Sequence, residues 1–181
     1  MNNVFIILVK PQLGQNIGSV ARVMKNLNFK NLRIVNPRDG WPNQDVISTA
    51  AGADDVIKNT KVFDNVSEAC NDLNYLFASS ARKRDLNIKT LNLVNTVSFL
   101  NKTEFCGNDF KFGILFGCES SGLSNEDLIT ANQLIHIPSN SDFSSLNISH
   151  AVSLICWEFF KFFDSSLDQI SKISYNTSPT I

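Results

Sequence analysis

The sequence lacks an apolar run long enough to cross a membrane. Its opening run, residues 4–9, is far shorter than the roughly 20 apolar residues that a bilayer span needs. No basic segment precedes it, and Lys10 and Pro11 follow it where a secretory signal would carry small residues and a cleavage site. We therefore interpret the run as a buried strand and expect a cytoplasmic protein that does not associate with membranes.

Closely spaced cysteines and glycine-rich nucleotide motifs are also missing. The four cysteines lie far apart without a Cys-x-x-Cys pair, which argues against a zinc knuckle, a redox dithiol or a disulfide scaffold: Cys70, Cys106, Cys118 and Cys156. No Gly-x-Gly-x-x-Gly occurs, and the Gly117-to-Gly122 segment has Leu123 where a phosphate loop requires lysine. We expect no metal site and no standard dinucleotide or ATP site.

Charge is distributed unevenly along a chain that is nearly neutral. Of 181 residues, 43% are apolar and 18% charged, and the net charge is −1. Residues 1–103 hold 13 basic and 8 acidic side chains, whereas residues 104–181 hold 3 basic and 9 acidic ones. A segregated basic region suits a polyanionic partner.

Short β-branched runs alternate with longer amphipathic ones, which predicts an α/β fold with a mainly parallel sheet and helices on both faces. Six strands are predicted, at residues 4–9, 31–35, 61–63, 75–79, 112–117 and 133–137. Helices are predicted at residues 17–27, 43–51, 66–73, 91–100, 124–131 and 146–163. Residues 1–164 would form one domain, followed by a polar, loose tail at 165–181.

The last predicted helix is apolar around more than one stripe. Its apolar side chains are Ile148, Ala151, Val152, Leu154, Ile155, Trp157, Phe159, Phe160, Phe162 and Phe163. A surface helix buries only one stripe, so we expect a homodimer with this helix near the interface. The alternative is a helix buried wholly inside its own chain.

Three segments that follow strands carry candidate functional residues. Ligands of open α/β sheets bind at the carboxyl ends of the strands. The first segment holds Asn16 and Arg22, the second holds Glu119 between two glycines, and the third holds Ser145 and Asn147. Each residue also has a structural interpretation as a helix cap, a surface cation or a turn residue.

Together the three segments resemble a known enzyme family. The combination Asn16…Arg22, Gly117-x-Glu119-x-x-Gly122-Leu123 and Ser145-Leu146-Asn147-x-Ser149-x-Ala151 looks like the three motifs of the SpoU (TrmH-type) branch of the SPOUT RNA methyltransferases. Residues 32–39 and 50–53 look most similar to the TrmJ-like subgroup, which methylates ribose in the tRNA anticodon loop. The resemblance runs from about residue 4 to residue 163.

The resemblance implies an S-adenosylmethionine-dependent RNA 2′-O-methyltransferase with a trefoil-knotted fold, which releases S-adenosylhomocysteine. The implied cofactor pocket is formed by Ser79, Ser80, Ala81, Gly117, Ile137, Ser144, Ser145 and Leu146. Cys118 departs from the arginine or other polar residue often found at its position. Arg82, Lys83 and Arg84 form a basic cluster suited to RNA phosphates, which Lys25, Lys30, Arg33 and Arg38 would extend.

Catalytic roles follow from the same resemblance and from the chemistry of methyl transfer. The resemblance implies that the motif-one arginine, Arg22, acts on the ribose 2′-hydroxyl. Because a guanidinium stays protonated, we favour Arg22 binding a phosphate and stabilising developing alkoxide charge. Asn16 and Glu119 would hold Arg22 and the motif loops, and Ser145 and Asn147 would order cofactor and ribose.

Alternative functions remain open from the sequence. One is a non-catalytic RNA- or nucleoside-binding protein that kept the fold, and another is an rRNA 2′-O-methyltransferase. A flavodoxin-like oxidoreductase has only the α/β pattern in its favour. Between tRNA and rRNA, we expect tRNA as the RNA partner.

Overall fold

The computed structural model describes residues 2–81, 88–100 and 109–163, which form a seven-stranded sheet flanked by helices. The strands are β1 (Val4–Val9), β2 (Asn31–Val35), β3 (Lys61–Phe63), β4 (Tyr75–Ser79), β5 (Thr90–Asn92), β6 (Phe112–Phe116) and β7 (Gln133–His136). The helices are α1 (Gly14–Asn26), α2 (Gln44–Thr49), α3 (Asp54–Asn59), α4 (Val66–Cys70), α5 (Leu93–Leu100), α6 (Asn125–Ile129) and α7 (Ile148–Phe163).

All strand pairs in the sheet are parallel, in the order β3-β2-β1-β6-β4-β7-β5. Side chains alternate between the two faces, so Ile6 and Leu8 of β1 pack in a cluster with α1 and α7, while Ile7 and Val9 pack in another with α4 and α6. A sheet covered on both faces explains why β1 and β6 are apolar throughout. The predicted parallel α/β sheet with helices on both faces is confirmed.

The predicted count of six strands is wrong. Residues 90–92 form β5, an edge strand paired only with β7, and the helix predicted from residue 91 begins at Leu93. The structure also contains α3, which the sequence analysis missed. A three-residue strand and a six-residue helix are each too short to show a periodic pattern, so pairing and packing with distant segments decide them.

Two predictions about chain organisation stay untested. The trefoil knot implied by the resemblance stays a prediction, as does the domain boundary at residue 164. The predicted tail at 165–181 lies outside the described residues. No helix within the described ranges is both long and apolar enough to cross a bilayer.

Strand order decides which loops meet at the carboxyl edge of the sheet. Strands β6, β4 and β7 are consecutive neighbours, so the segments that follow them lie side by side. Strand β1 borders β6 on its other side, which brings the segment from Lys10 to the start of α1 against the one from Gly117 to Gly122. Three segments far apart in sequence are thereby gathered at one edge.

Candidate active site

The Glu119 carboxylate joins the segment after β6 to the segment after β1. Its Oε2 accepts the backbone N–H of Gln12 at 2.9 Å, and its Oε1 accepts the backbone N–H of Leu13 at 3.3 Å. Oε1 also accepts a hydrogen bond from Asn16 Nδ2 at 2.7 Å. Three donors thus hold one carboxylate across more than 100 residues of sequence. Glu119 therefore fixes the position of the segment that begins α1.

Asn147 extends these contacts to the third segment. Its Nδ2 donates to Asn16 Oδ1 at 3.0 Å, and its own Oδ1 accepts from the backbone N–H and the hydroxyl of Ser149, both at 2.8 Å. A carboxylate can only accept, so Asn16 must turn its NH₂ toward Glu119 and its oxygen toward Asn147. Asn147 must likewise turn its NH₂ toward the oxygen of Asn16 and its own oxygen toward the N–H of Ser149. We call Glu119, Asn16, Asn147 and Ser149 the Glu119 network.

A cavity opens beside this network at the carboxyl ends of β4, β6 and β7. All eight residues predicted to bind the cofactor line it: Ser79, Ser80, Ala81, Gly117, Ile137, Ser144, Ser145 and Leu146. Its other lining residues belong to the end of β6, to the segment that follows β6 and to the start of α7, and Glu119 is among them. The cavity and the network therefore share the same segments of chain.

Gly117 allows the segment after β6 to fold back on itself. A Cβ at this position would lie 2.1 Å from the carbonyl carbon of Gly122 and 2.1 Å from the backbone nitrogen of Leu123. Gly122 donates its N–H to Cys118 O at 2.9 Å and has a φ of +71°, which favours glycine. Glycine is therefore required at position 117 by a close backbone contact, and it is favoured at position 122 by the backbone conformation.

Cys118 exposes a polarised thiol in the cavity wall. Its Sγ lies 3.1 Å from Ser121 Oγ and 3.6 Å from Ser120 Oγ. Partial burial opposes ionisation, but hydrogen bonds from the hydroxyls and backbones of Ser121 and Ser120 outweigh it and lower the pKa of this thiol below its usual value. Among the described cysteines, burial raises the pKa of Cys70 to about 11 and raises that of Cys156 further.

The structure brings together four of the five predicted catalytic residues. Asn16, Glu119 and Asn147 belong to the network, and Ser145 lines the cavity. Arg22 stands apart, because it is exposed on α1 and does not line the cavity. It has no hydrogen bond or ion pair with any residue in the described ranges. The predicted RNA-binding triplet Arg82, Lys83 and Arg84 lies outside those ranges.

The predicted extension of the basic cluster needs correction at Arg33. This side chain is only 6% exposed, and its Nη1 and Nη2 donate to the two carboxylate oxygens of Asp72 at 2.6 and 2.9 Å. Nη1 also donates to Ala69 O, and the guanidinium stacks over the Phe5 ring. Arg33 is a buried structural cation that cannot reach RNA. The other predicted cations, Lys25, Lys30 and Arg38, are exposed. Lys25 pairs with Asp55, and Arg38 pairs with Asp39.

Sequence reasoning missed the backbone donors of Gln12 and Leu13. Every residue except proline carries an N–H, so no residue type signals that a particular one points at a carboxylate. An available signal was the position of Gln12 and Leu13 between the end of a strand and the start of a helix. Unpaired backbone donors concentrate at the beginning of a helix.

One relative of known activity is similar along most of the chain. It is the tRNA (cytidine-2′-O-)-methyltransferase TrmJ of Methanocaldococcus jannaschii, which is 34% identical over 174 residues and is matched over 92% of this chain and 74% of its own. The chain spans only 60–66% of the length of further bacterial relatives with 31–35% identity.

Several solved structures share the fold, including a TrmJ and a SpoU methyltransferase. TrmJ from Z. mobilis ZM4 matches with a TM-score of 0.81 and 41% identity over 87% of this chain and 68% of that one. The SpoU methyltransferase AviRb from Streptomyces viridochromogenes, in complex with the cofactor AdoMet, matches with a TM-score of 0.71 and 16% identity over 91% of this chain and 60% of that one. At that identity, AviRb shows the common fold alone.

The family assignment depends on a match that includes the network and the cavity. Residues 3–157 match the SpoU rRNA methylase family, and this range contains β1, all three motif segments and most of α7. The chain belongs to the SpoU methylase family.

Proposed function

We propose that the protein is an S-adenosylmethionine-dependent 2′-O-methyltransferase that acts on tRNA. The observation that carries this proposal is the Glu119 network, which ties the three motif segments together beside a cavity lined by all eight predicted cofactor residues. The activity in the names of the TrmJ relatives supports it. An RNA substrate also agrees with the predicted cytoplasmic location.

The cavity residues suit an adenosyl cofactor. Ile137 and Leu146 supply apolar walls for a planar base, while the hydroxyls and backbone groups of Ser79, Ser80 and Ser144 supply hydrogen-bonding partners. The close approach of Gly117 to Gly122 leaves no room for a side chain at position 117, so backbone groups can face a ligand directly. When bound, S-adenosylmethionine supplies an electrophilic methyl group on a sulfonium.

The residues of the chain must align the ribose and assist loss of its proton. Methyl transfer is an in-line displacement, so the ribose oxygen must lie opposite the leaving sulfur. The Glu119 network joins the motif segments. In this proposal Ser145, which lines the cavity, orders the cofactor, and Asn147, which is bonded to Asn16 beside the cavity, orders the ribose. Arg22 is exposed on α1 outside the cavity wall, so in this proposal it acts on the RNA and not on the cofactor. It binds a phosphate and stabilises charge on the ribose oxygen, and phosphate or solvent takes the proton.

We also propose that α7 contributes to a homodimer interface. The face toward the sheet is fully buried at Val152, Ile155 and Phe159, but Leu154 and Trp157 on the other face are 42% and 45% exposed. An exposed tryptophan beside an exposed leucine on one helix face is typical of an interface. The helix is thus not buried wholly inside its own chain.

The dimer is tested with Trp157→Asp and a matched variant. Light scattering should give a dimer for the wild type and a monomer for Trp157→Asp, since a buried carboxylate without a partner disfavours association. Ser67→Asp adds the same charge at an exposed position of α4, on the opposite face of the sheet from α7, and serves as the control. A monomeric wild type at micromolar concentration would contradict the dimer proposal.

The enzymatic proposal is tested on RNA from cells. Mass spectrometry of nucleosides should find a 2′-O-methylated tRNA position that disappears when the gene is deleted and returns with the wild-type gene. It should not return with a Gly117→Ala gene, because the added Cβ would overlap the backbone of Gly122 and Leu123 and displace the cavity wall. Loss of an rRNA methylation instead would reassign the substrate, and no change in either RNA would favour a non-catalytic binding protein.

A further inference from the structure

Arg38, which the sequence predicts only as an extension of the basic cluster, lies next to the Glu119 network. Its backbone N–H donates to Pro11 O at 3.1 Å, and the next residue after Pro11, Gln12, donates its own N–H to Glu119 Oε2 at 2.9 Å. The segment after β2 is therefore bonded directly to the segment that carries the network. Arg38 thus occupies a fixed place at the rim of the site.

The backbone around Arg38 is held on both sides. Asn36 donates its N–H to Phe63 O at 2.9 Å, and Lys10 donates its N–H to Val35 O at 2.8 Å. Further along, Asn43 caps α2 by accepting the N–H of Val46 at 3.1 Å. The segment is thus anchored at its ends, while the Arg38 side chain projects from it with 55% exposure.

The only described partner of the Arg38 side chain is the adjacent Asp39. Arg38 Nε donates to Asp39 Oδ1 at 2.7 Å, and Nη2 donates to Oδ2 at 3.1 Å. Two parallel N–H bonds to a carboxylate form the same fork that arginine presents to a phosphate. Asp39, and after it the Glu119 carboxylate, raise the pKa of Arg38, which places this cation within the field of the network.

Arg38 places a positive charge at the rim of the site. Position 118 is a thiol, so the segment after β6 offers no positive charge beside Glu119, and Arg22 does not line the cavity. An RNA strand that brings a ribose to the cavity also brings its phosphates to the rim. An exposed ion pair between neighbouring residues is weak in water and is readily exchanged for a stronger partner.

We propose that Arg38 binds an RNA phosphate beside the target ribose, and that Asp39 holds the guanidinium fork until that phosphate displaces it. This inference rests on the proposed function, because it takes RNA as the ligand. Arg38 is then a positioning residue: it sets where the strand lies, and the methyl transfer itself uses other groups. Asp39 occupies the place of the phosphate in the absence of RNA.

The test measures binding of fluorescently labelled tRNA to the full chain at several salt concentrations. Arg38→Ala should weaken binding about 3- to 10-fold and lower the slope of log affinity against log salt by about 0.7, the value for one phosphate contact to a single strand. It should raise KM for tRNA and leave kcat and cofactor affinity unchanged. Arg38→Lys should keep the salt slope and recover part of the affinity, since it keeps the charge and loses the fork.

Asp39 provides the sharper half of the test. Asp39→Asn should tighten tRNA binding about 1.4- to 5-fold, which corresponds to the strength of an exposed ion pair. If Asp39 acts through Arg38, this gain disappears when Arg38 is already alanine. Two exposed residues serve as charge controls: Lys61→Ala at the opposite, amino end of β3, and Asp54→Asn on α3.

The outcomes separate this inference from the proposed function. If the wild type binds and methylates tRNA but Arg38→Ala behaves like Lys61→Ala, the inference is overturned and the proposed function stands. A gain from Asp39→Asn that persists in the Arg38→Ala background also overturns it. If the wild type neither binds nor methylates RNA, both fail together.

Discussion

Replacing Glu119 with glutamine tests whether the network holds the motif segments in place. The side chain keeps its shape, but one of its two oxygens becomes an NH₂ group. That NH₂ must face either the N–H of Gln12, or both the N–H of Leu13 and the NH₂ of Asn16. Donor then meets donor in either orientation, so at least one of three hydrogen bonds is lost.

The loss of stability in Glu119→Gln follows from the number and kind of hydrogen bonds lost. A hydrogen bond to a charged group contributes about 1.5–3 kcal/mol. Glu119 is only partly buried, which reduces this to about 1–2 kcal/mol for one lost bond. For a chain of this size, the melting temperature should fall by about 2–8 °C. Displacement of Asn16 and Asn147 should lower kcat about 10- to 100-fold.

Scanning calorimetry and single-turnover methyl transfer measure these effects. Glu126→Gln is the matched control, because it makes the same chemical change on the exposed side of α6 near the site. The control should retain both stability and activity. A Glu119→Gln variant as stable and as active as the control would refute the role that we assign to the network.

Three further predictions concern the cavity, the core and the thiol. Gly117→Ala should abolish cofactor binding by calorimetry, because the added Cβ would overlap the backbone at Gly122; retained binding would contradict the cavity geometry. Arg33 lowers the pKa of Asp72 to about 2, so this pair stabilises the fold above the usual carboxyl range and ceases to do so as pH falls toward 2. Asp72→Asn should lower the free energy of unfolding, measured with urea, by about 1–2 kcal/mol at pH 7; the loss is modest because Asp72 is 42% exposed. The loss should be much smaller at pH 2, where Asp72 is partly protonated in the wild type. An equal loss at both pH values would contradict the role of this ion pair. Thiol reagents at neutral pH should modify Cys118 and block cofactor binding, and bound cofactor should slow this modification. If the reagents abolish cofactor binding by a Cys118→Ser variant at the same rate, the inhibition is due to another residue.

The sequence predicted the central strands well because their burial is visible in their composition. The predicted bounds 4–9, 31–35 and 75–79 match the central strands β1, β2 and β4, and the predicted bounds 61–63 match β3 at one edge of the sheet. Parallel strands that are covered on both faces need apolar β-branched runs, and few other elements have them. The edge strand β5 has no such run, and only its pairing with β7 makes it a strand.

The site was predictable where a polar side chain carries the function. Asn16, Glu119 and Asn147 stand out because each is a polar residue directly after a strand or at a helix start, and the structure joins them. The backbone N–H groups that complete the Glu119 site have no such signature. Residue type alone also could not separate the roles of Arg33 and Arg38. Both are arginines in the same stretch of sequence, and only the structure shows that Arg33 is buried and Arg38 is exposed.

Transfer of an isotopically labelled methyl group tests the central claim most directly. Purified protein is incubated with S-adenosylmethionine labelled in its methyl group and with unmodified tRNA, and the nucleosides are then analysed by mass spectrometry. The account predicts label on a ribose 2′-oxygen, with none transferred by Gly117→Ala. Label on a nucleobase, or no label in any RNA while the protein binds the cofactor, would contradict it.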